Sequence, residues 1–254
     1  MIPSPSFNRA NFAHRIECNP ADPANYNRKI GDTLIAADSE LWVASTSVDP
    51  NHGDVNAGIR RPGKAMQRAA AERCRELLAR SGPEPAVFTA NSTSHSRGCA
   101  VVARMRADGY RIGIDIEYAD PQRDWTGIID FLAPGSGGEV SPIIGAAIWT
   151  VCEAVFKATA IWPSAPEIMD LVRHLTATPP GPQPVRHRLS ERTDIDIVVQ
   201  LLPADPRFAV ALAITGPETT GRPVLVPCVV WLSRSTGGPA ASVQRYRIGK
   251  ADRL

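Results

Sequence analysis

Asp115 and Glu117 stand two residues apart in Tyr110-Arg111-Ile112-Gly113-Ile114-Asp115-Ile116-Glu117. The run alternates strictly: Tyr110, Ile112, Ile114 and Ile116 fall on one face, Arg111, Gly113, Asp115 and Glu117 on the other. That is the period of a β-strand. Two carboxylates held side by side repel each other unless positive charge lies between them. A hard divalent cation such as Mg²⁺ resolves the conflict. An amphipathic strand with its acids in water is the plain alternative.

A second group of residues has helical spacing. Trp149, Glu153 and Lys157 are spaced i, i+4, i+8 and form one stripe carrying an aromatic ring, an acid and a base. On a solvated helix such a Glu/Lys pair adds only about 0.2–0.5 kcal/mol. Here Ile148, Val151 and Val155 flank the stripe, so the helix is expected to be largely buried and its acid to need a partner. Asp115, Glu117 and a metal ion would supply one.

A third candidate is Asn91-Ser92-Thr93-Ser94-His95-Ser96, read as a polar loop in which His95 and its flanking hydroxyls either serve as base and nucleophile or contact a phosphate. The GxSxG elbow of a serine hydrolase is absent from the sequence. Arg60, Arg61 and Lys64 precede or open a helix that also carries Arg68 and Arg73. They are candidates to neutralise a polyanion, although the last two suit a solvated helix face. Gly135, Gly137 and Gly138 match no phosphate-binding fingerprint and read as a loop.

The elements that must position these residues follow from periodicity. Residues 1–33 read as an irregular lead-in, followed by short strands at 33–36 and 41–45 and loop chemistry at 51–62. A helix is expected from Lys64 to Arg80, where Met66, Ala69, Ala70, Cys74, Leu77 and Leu78 recur at steps of three or four. Strands at 99–106 and 110–117, joined by Ala107-Asp108-Gly109, are expected to form a hairpin. A second helix is expected from 143 to 160, then a broken stretch through TPPGPQP, then a strand pair at 194–202 and 208–215. Residues 224–232 could add a strand, with a flexible Gly/Ser/Arg-rich tail from Ser233 onward. Helices segregated from antiparallel pairs give an α+β class. The order helix, loop, strand pair occurs twice. It suggests an N-terminal half over 1–118, a C-terminal half over 119–216, and an extra strand and tail over 217–254.

Composition narrows the function classes. The chain has 254 residues, 43% hydrophobic and 21% charged, enough to bury a core. Lys+Arg 28 against Asp+Glu 26 leaves a net charge of +2, with no global field favouring nucleic acid or an anionic membrane. The five cysteines are scattered without a CxxC pair, and no uncharged run approaches the roughly 20 residues of a spanning helix. A reduced cytoplasmic monomer without nucleic-acid or membrane partners is expected.

Taken together, Ser94-His95-Ser96, Gly113-Ile114-Asp115-Ile116-Glu117 and the segment WTVCEAVFKA at 149–158 resemble the signature segments of the 4′-phosphopantetheinyl transferases. The likeness is to the larger, pseudo-dimeric kind serving polyketide and nonribosomal peptide synthases. The resemblance implies a fold of two similar halves with the site at their interface. It implies transfer of the phosphopantetheine arm of coenzyme A to a serine of an acyl or peptidyl carrier protein, with release of 3′,5′-ADP. By the same resemblance Asp115, Glu117 and Glu153 hold Mg²⁺, Lys157 touches the pyrophosphate, and Glu153 or a metal-bound water is the base. Ser94 and His95 fall on the coenzyme side, His95 toward the 3′-phosphate, and Arg61 and Lys64 add phosphate contacts.

The sequence departs from that pattern at Cys152, where the family usually has Lys, and after Lys157, where a glycine-containing turn is usual. Three alternatives stand beside the transferase: a relative that binds coenzyme A or a carrier protein without turnover, another metal-dependent phosphoryl-handling enzyme, and an interaction protein whose acids face solvent.

Overall fold

The computed structural model describes residues 14–17, 33–46, 64–81, 88–136, 138–192, 194–202, 205–217, 222–233 and 241–251. Its elements in chain order are β1 (His14–Glu17), β2 (Thr33–Thr46), α1 (Lys64–Ser81), β3 (Ala90–Ser96), β4 (Cys99–Arg106) and β5 (Arg111–Tyr118). Then come α2 (Trp125–Leu132), α3 (Pro142–Thr159), α4 (Ala165–Ala177), β6 (Val185–His187), β7 (Ile195–Leu202), β8 (Asp205–Thr215), β9 (Arg222–Ser233) and β10 (Ala241–Ala251).

The strands form two antiparallel sheets, a six-stranded one ordered β1-β9-β10-β2-β4-β3 and a four-stranded one ordered β5-β8-β7-β6. The chain is therefore of mixed α and β structure with segregated antiparallel sheets. Alternation along each strand sorts the side chains into three cores. Leu41, Val43, Val101 and Met105 meet Ile112, Ile114, Ile116 and Phe208 between the two sheets. Trp42, Ala44, Ala100 and Val102 cover α1 on the far side of the larger sheet. Ile197, Val199, Ala209 and Ala211 carry α2, α3 and α4 on the outer face of the smaller one.

Within this frame one order of elements recurs. β2, β3 and β4, with α1 between the first two, pair as β2-β4-β3; β5, β7 and β8 pair as β5-β8-β7, with α2, α3, α4 and the edge strand β6 between β5 and β7, and the helices pack on their own sheet in each case.

Several expectations need correction. The strands at 99–106 and 110–117 do not form a hairpin. β4 is already flanked by β2 and β3, while β5 pairs with β8 in the other sheet. Asp108-Gly109 is a turn all the same, with Gly109 at φ +78, but it carries the chain from one layer to the next. The tight hairpin lies one strand earlier. Arg97 and Gly98, at φ 45 and 83, join β3 to β4 in the left-handed conformation that two-residue hairpins demand. The polar stretch 91–96 is thus a strand, not a loop.

The stretch after α3 is not broken throughout. Ser164 caps α4 through a capping box with Glu167, and Pro166 falls in the first turn, where its missing N–H costs nothing. Residues beyond Ser233 are not all a flexible tail: β10 runs between β9 and β2 with Val243, Tyr246 and Ile248 buried. The expected strands at 33–36 and 41–45 are one continuous β2. The second helix and the pair at β7 and β8 fall where periodicity puts them.

By length and composition α3 is the one helix among the described residues apolar enough to cross a membrane. Here that apolarity is used against the sheet and its neighbouring helices, where most of its side chains are buried.

Candidate functional site

β5 and α3 approach each other at a glycine. A Cβ on Gly113 would lie 1.9 Å from the carbonyl oxygen of Ala154 and 2.8 Å from the nitrogen of Ala158, so only glycine lets the helix backbone rest on the strand. That approach brings the next residues on the same strand face, Asp115 and Glu117, beside the Glu153–Lys157 stripe. The strand and the helix stripe read from the sequence therefore do meet.

Asp115 is the centre of the arrangement and is only 5% exposed. Its Oδ1 accepts from Lys157 Nζ at 2.7 Å and from Ser94 Oγ at 2.6 Å, and its own carboxylate also bonds the N–H of Ile116. Lys157 Nζ also donates to the carbonyl of Ile114 at 3.2 Å. Burial pushes the Asp115 carboxyl above the ordinary range, and the Lys157 charge opposes that rise.

Glu117 accepts from Arg123 and from Ser96 Oγ, each at 3.4 Å. Burial raises it, Arg123 opposes, and the Asp115 charge adds to the rise. Glu153 is half-buried on α3, has no hydrogen bond or ion pair among the described residues, and is raised by burial and then by Asp115.

The hydroxyls of β3 explain why the two sheets stay joined here. Ser92 Oγ accepts from the Ile114 N–H at 3.1 Å and Ser96 Oγ from the Tyr118 N–H at 3.2 Å. Alternate residues of β3 thus occupy the free edge of β5, satisfying donors that no strand pairs. Ser94 takes its place in that row and is buried. His95, between two inward residues, is exposed. The sequence motif therefore divides, with its serines on the carboxylates and its histidine toward solvent.

Two further cations close the site, both missed in the sequence. Arg97 pairs with Asp120 and lies 4.7 Å from the Tyr118 ring centroid. Arg123 lies 4.4 Å from the Trp125 ring and 5.3 Å from the Trp149 ring, beside Glu117. Both sit in turns, where no periodicity marks them; the only local signals were the Arg-Gly dipeptide and the Asp-Pro turn at 120–121. Arg61 lies outside the described residues. Lys64 opens α1, and Arg68 and Arg73 are exposed on that helix.

Cys152 points away from the carboxylates. It is fully buried in the helix-side core, and burial drives its thiol up to about 12. No group of three or more His, Cys, Asp or Glu side chains among the described residues is arranged to hold a metal as the side chains stand. At Asp115 the partner in place is the ammonium of Lys157. No protein-family model matches the chain, and no curated protein matches it.

Proposed function

We propose that the chain is a 4′-phosphopantetheinyl transferase that moves the arm of coenzyme A onto a serine of an acyl or peptidyl carrier protein, releasing 3′,5′-ADP. The observation that carries this reading is the convergence of Asp115 and Glu117 from β5 with Glu153 and Lys157 from α3, at a contact that Gly113 alone permits. The repeated order strand, helix, strand, strand supports the two-halved architecture that the reading requires.

The donor set suits Mg²⁺. It is all oxygen, and burial raises each of its three acids above the ordinary range, a rise that a bound cation would oppose. Asp115, Glu117 and Glu153 would hold the ion, which would offset the charge of the pyrophosphate during attack. Lys157 must leave Asp115 for that, and its ammonium is then available to the phosphates. Glu153, unpaired and raised, is suited to accept the proton of the incoming serine hydroxyl. His95 is exposed and so accessible to a 3′-phosphate.

A second reading is favoured by the Lys157–Asp115 ion pair: a protein that binds coenzyme A or a carrier protein without turnover. The test is the intact mass of an apo carrier protein incubated with the chain, coenzyme A and Mg²⁺. A gain of one phosphopantetheine, abolished by EDTA, supports the transferase. Thermal stabilisation by coenzyme A with no mass gain supports the binder, and neither effect rejects both.

A further inference from the structure

Arg123 is held in place more firmly than its one ion pair explains. Its turn is pinned by Arg123 N–H on Asp120 O at 3.3 Å, Trp125 N–H on Arg123 O at 2.8 Å and the Trp125 indole N–H on Asp120 O at 2.8 Å. Trp125 is itself fixed, because α3 rests against it at Gly145, where a Cβ would lie 2.5 Å from the tryptophan side chain. The guanidinium thus faces the fixed Trp125 ring and also the ring of Trp149, which packs edge-on against Trp162 at 5.8 Å.

Among the described residues its only polar side-chain partner is Glu117 Oε1 at 3.4 Å. That is long for a charge-assisted bond, typically about 2.7–2.9 Å. A guanidinium carries five N–H donors, so most are uncommitted. The other two cations differ. Arg97 is engaged by Asp120, and Lys157 by Asp115 and the Ile114 carbonyl.

We propose that Arg123 is an anion-binding residue of this site, presenting its planar fork to two oxygens of a substrate pyrophosphate while Trp125 and Trp149 hold its plane. The proposal rests on the transferase reading of the site. It adds a ligand contact from a turn that carries none of the resembling segments.

The test is calorimetric titration of the full chain with coenzyme A and, separately, with inorganic pyrophosphate, both with Mg²⁺, in wild type, Arg123→Ala and Arg123→Lys. The expected result is a Kd for both ligands at least about tenfold weaker in Arg123→Ala, with an intermediate loss in Arg123→Lys, whose point charge lacks the fork. Folding of each variant is checked by thermal melting, and Arg123→Lys serves if Arg123→Ala does not fold. Wild-type affinity in Arg123→Ala, or in Arg123→Lys, overturns the assignment and leaves the transferase reading intact. A wild-type chain that binds pyrophosphate but not coenzyme A overturns the transferase reading alone. One that binds neither overturns both.

Discussion

Lys157 Nζ and Ser94 Oγ reach the same atom, Asp115 Oδ1, the ammonium from α3 at 2.7 Å and the hydroxyl from β3 at 2.6 Å. One carboxylate oxygen therefore ties the helix of the smaller sheet to the edge of the larger. Because Asp115 is buried, removing either partner leaves its carboxylate less satisfied, and removing Asp115 itself orphans the buried Ser94 hydroxyl.

That asymmetry separates two tests of the proposed chemistry. Glu153→Ala removes an acid with no bonded partner, so it should abolish carrier modification while shifting the melting temperature little. Asp115→Ala should also abolish modification, at a stability cost of about 1–3 kcal/mol from the orphaned partners. Intact-mass assay and thermal melting read both. Full activity in either variant would remove the carboxylate set from the mechanism.

Gly113→Ala is expected to be worse than its single methyl suggests. The added carbon meets backbone rather than a movable side chain, so α3 must shift away from β5. Overpacking of this kind costs about 1–3 kcal/mol. The same shift moves Glu153 and Lys157 away from Asp115, so activity should fall even in molecules that stay folded. A folded, fully active Gly113→Ala chain would contradict the close approach.

Cys152→Lys does not restore a cation to the site. The position lies in the helix-side core near Glu167 and Arg192, which already pair at 2.9 Å. An ammonium forced in without its own partner costs about 3–5 kcal/mol. Chemical denaturation should show that loss, with no gain in transfer; a stable variant of raised activity would refute the inward orientation.

His187 gives a pH signature independent of the site. Its ring is buried against His174, the centroids 4.8 Å apart, and burial followed by the His174 charge lowers it to about 4 from 6.5, with Asp170 opposing. The unfolded chain therefore binds more protons than the folded one between pH 4 and 6.5. The stability tied to neutral His187 is complete above pH 6.5 and is lost as pH falls toward 4. Two and a half units at 1.36 kcal/mol each amount to about 3 kcal/mol. The raised carboxylates act with the opposite sign, so the comparison is with His187→Leu, which keeps them. Wild type should lose about 3 kcal/mol more than the variant between pH 7 and 4. Parallel stability profiles would show that His187 titrates normally.

What could be read in the sequence was whatever has a period. The alternation of β5 and the i, i+4, i+8 stripe of α3 each survive folding, and because both elements are regular, the faces they present were legible. The pairing of β5 was not, because Asp108-Gly109 specifies a turn without specifying which strand comes next to the one it ends. β3 was hidden by Asn91 and its serines, residues that favour turns and caps over strands, of which Ser92 and Ser96 here use their hydroxyls to satisfy the edge of β5. Arg97 and Arg123 were illegible because turn residues are located by tertiary contacts. The orientation of Cys152, where the resembled pattern has a lysine, does not follow from adjacency. It adjoins Glu153 in sequence, but one helical step of about 100° turns it from the site to the core.

β10 has one more consequence, which concerns the order in which the chain can fold. Ser242 of β10 bonds Ser45 of β2 across 197 residues of sequence, Oγ to Oγ at 2.5 Å. The larger sheet therefore cannot join β9 to β2 until the latest described strand is in place, whereas the smaller sheet and its three helices lie within residues 111–215. Closing so long a loop is entropically slow. The smaller sheet and its helices, which carry Asp115, Glu117, Glu153 and Lys157, can thus assemble first and serve as the template on which the other sheet closes.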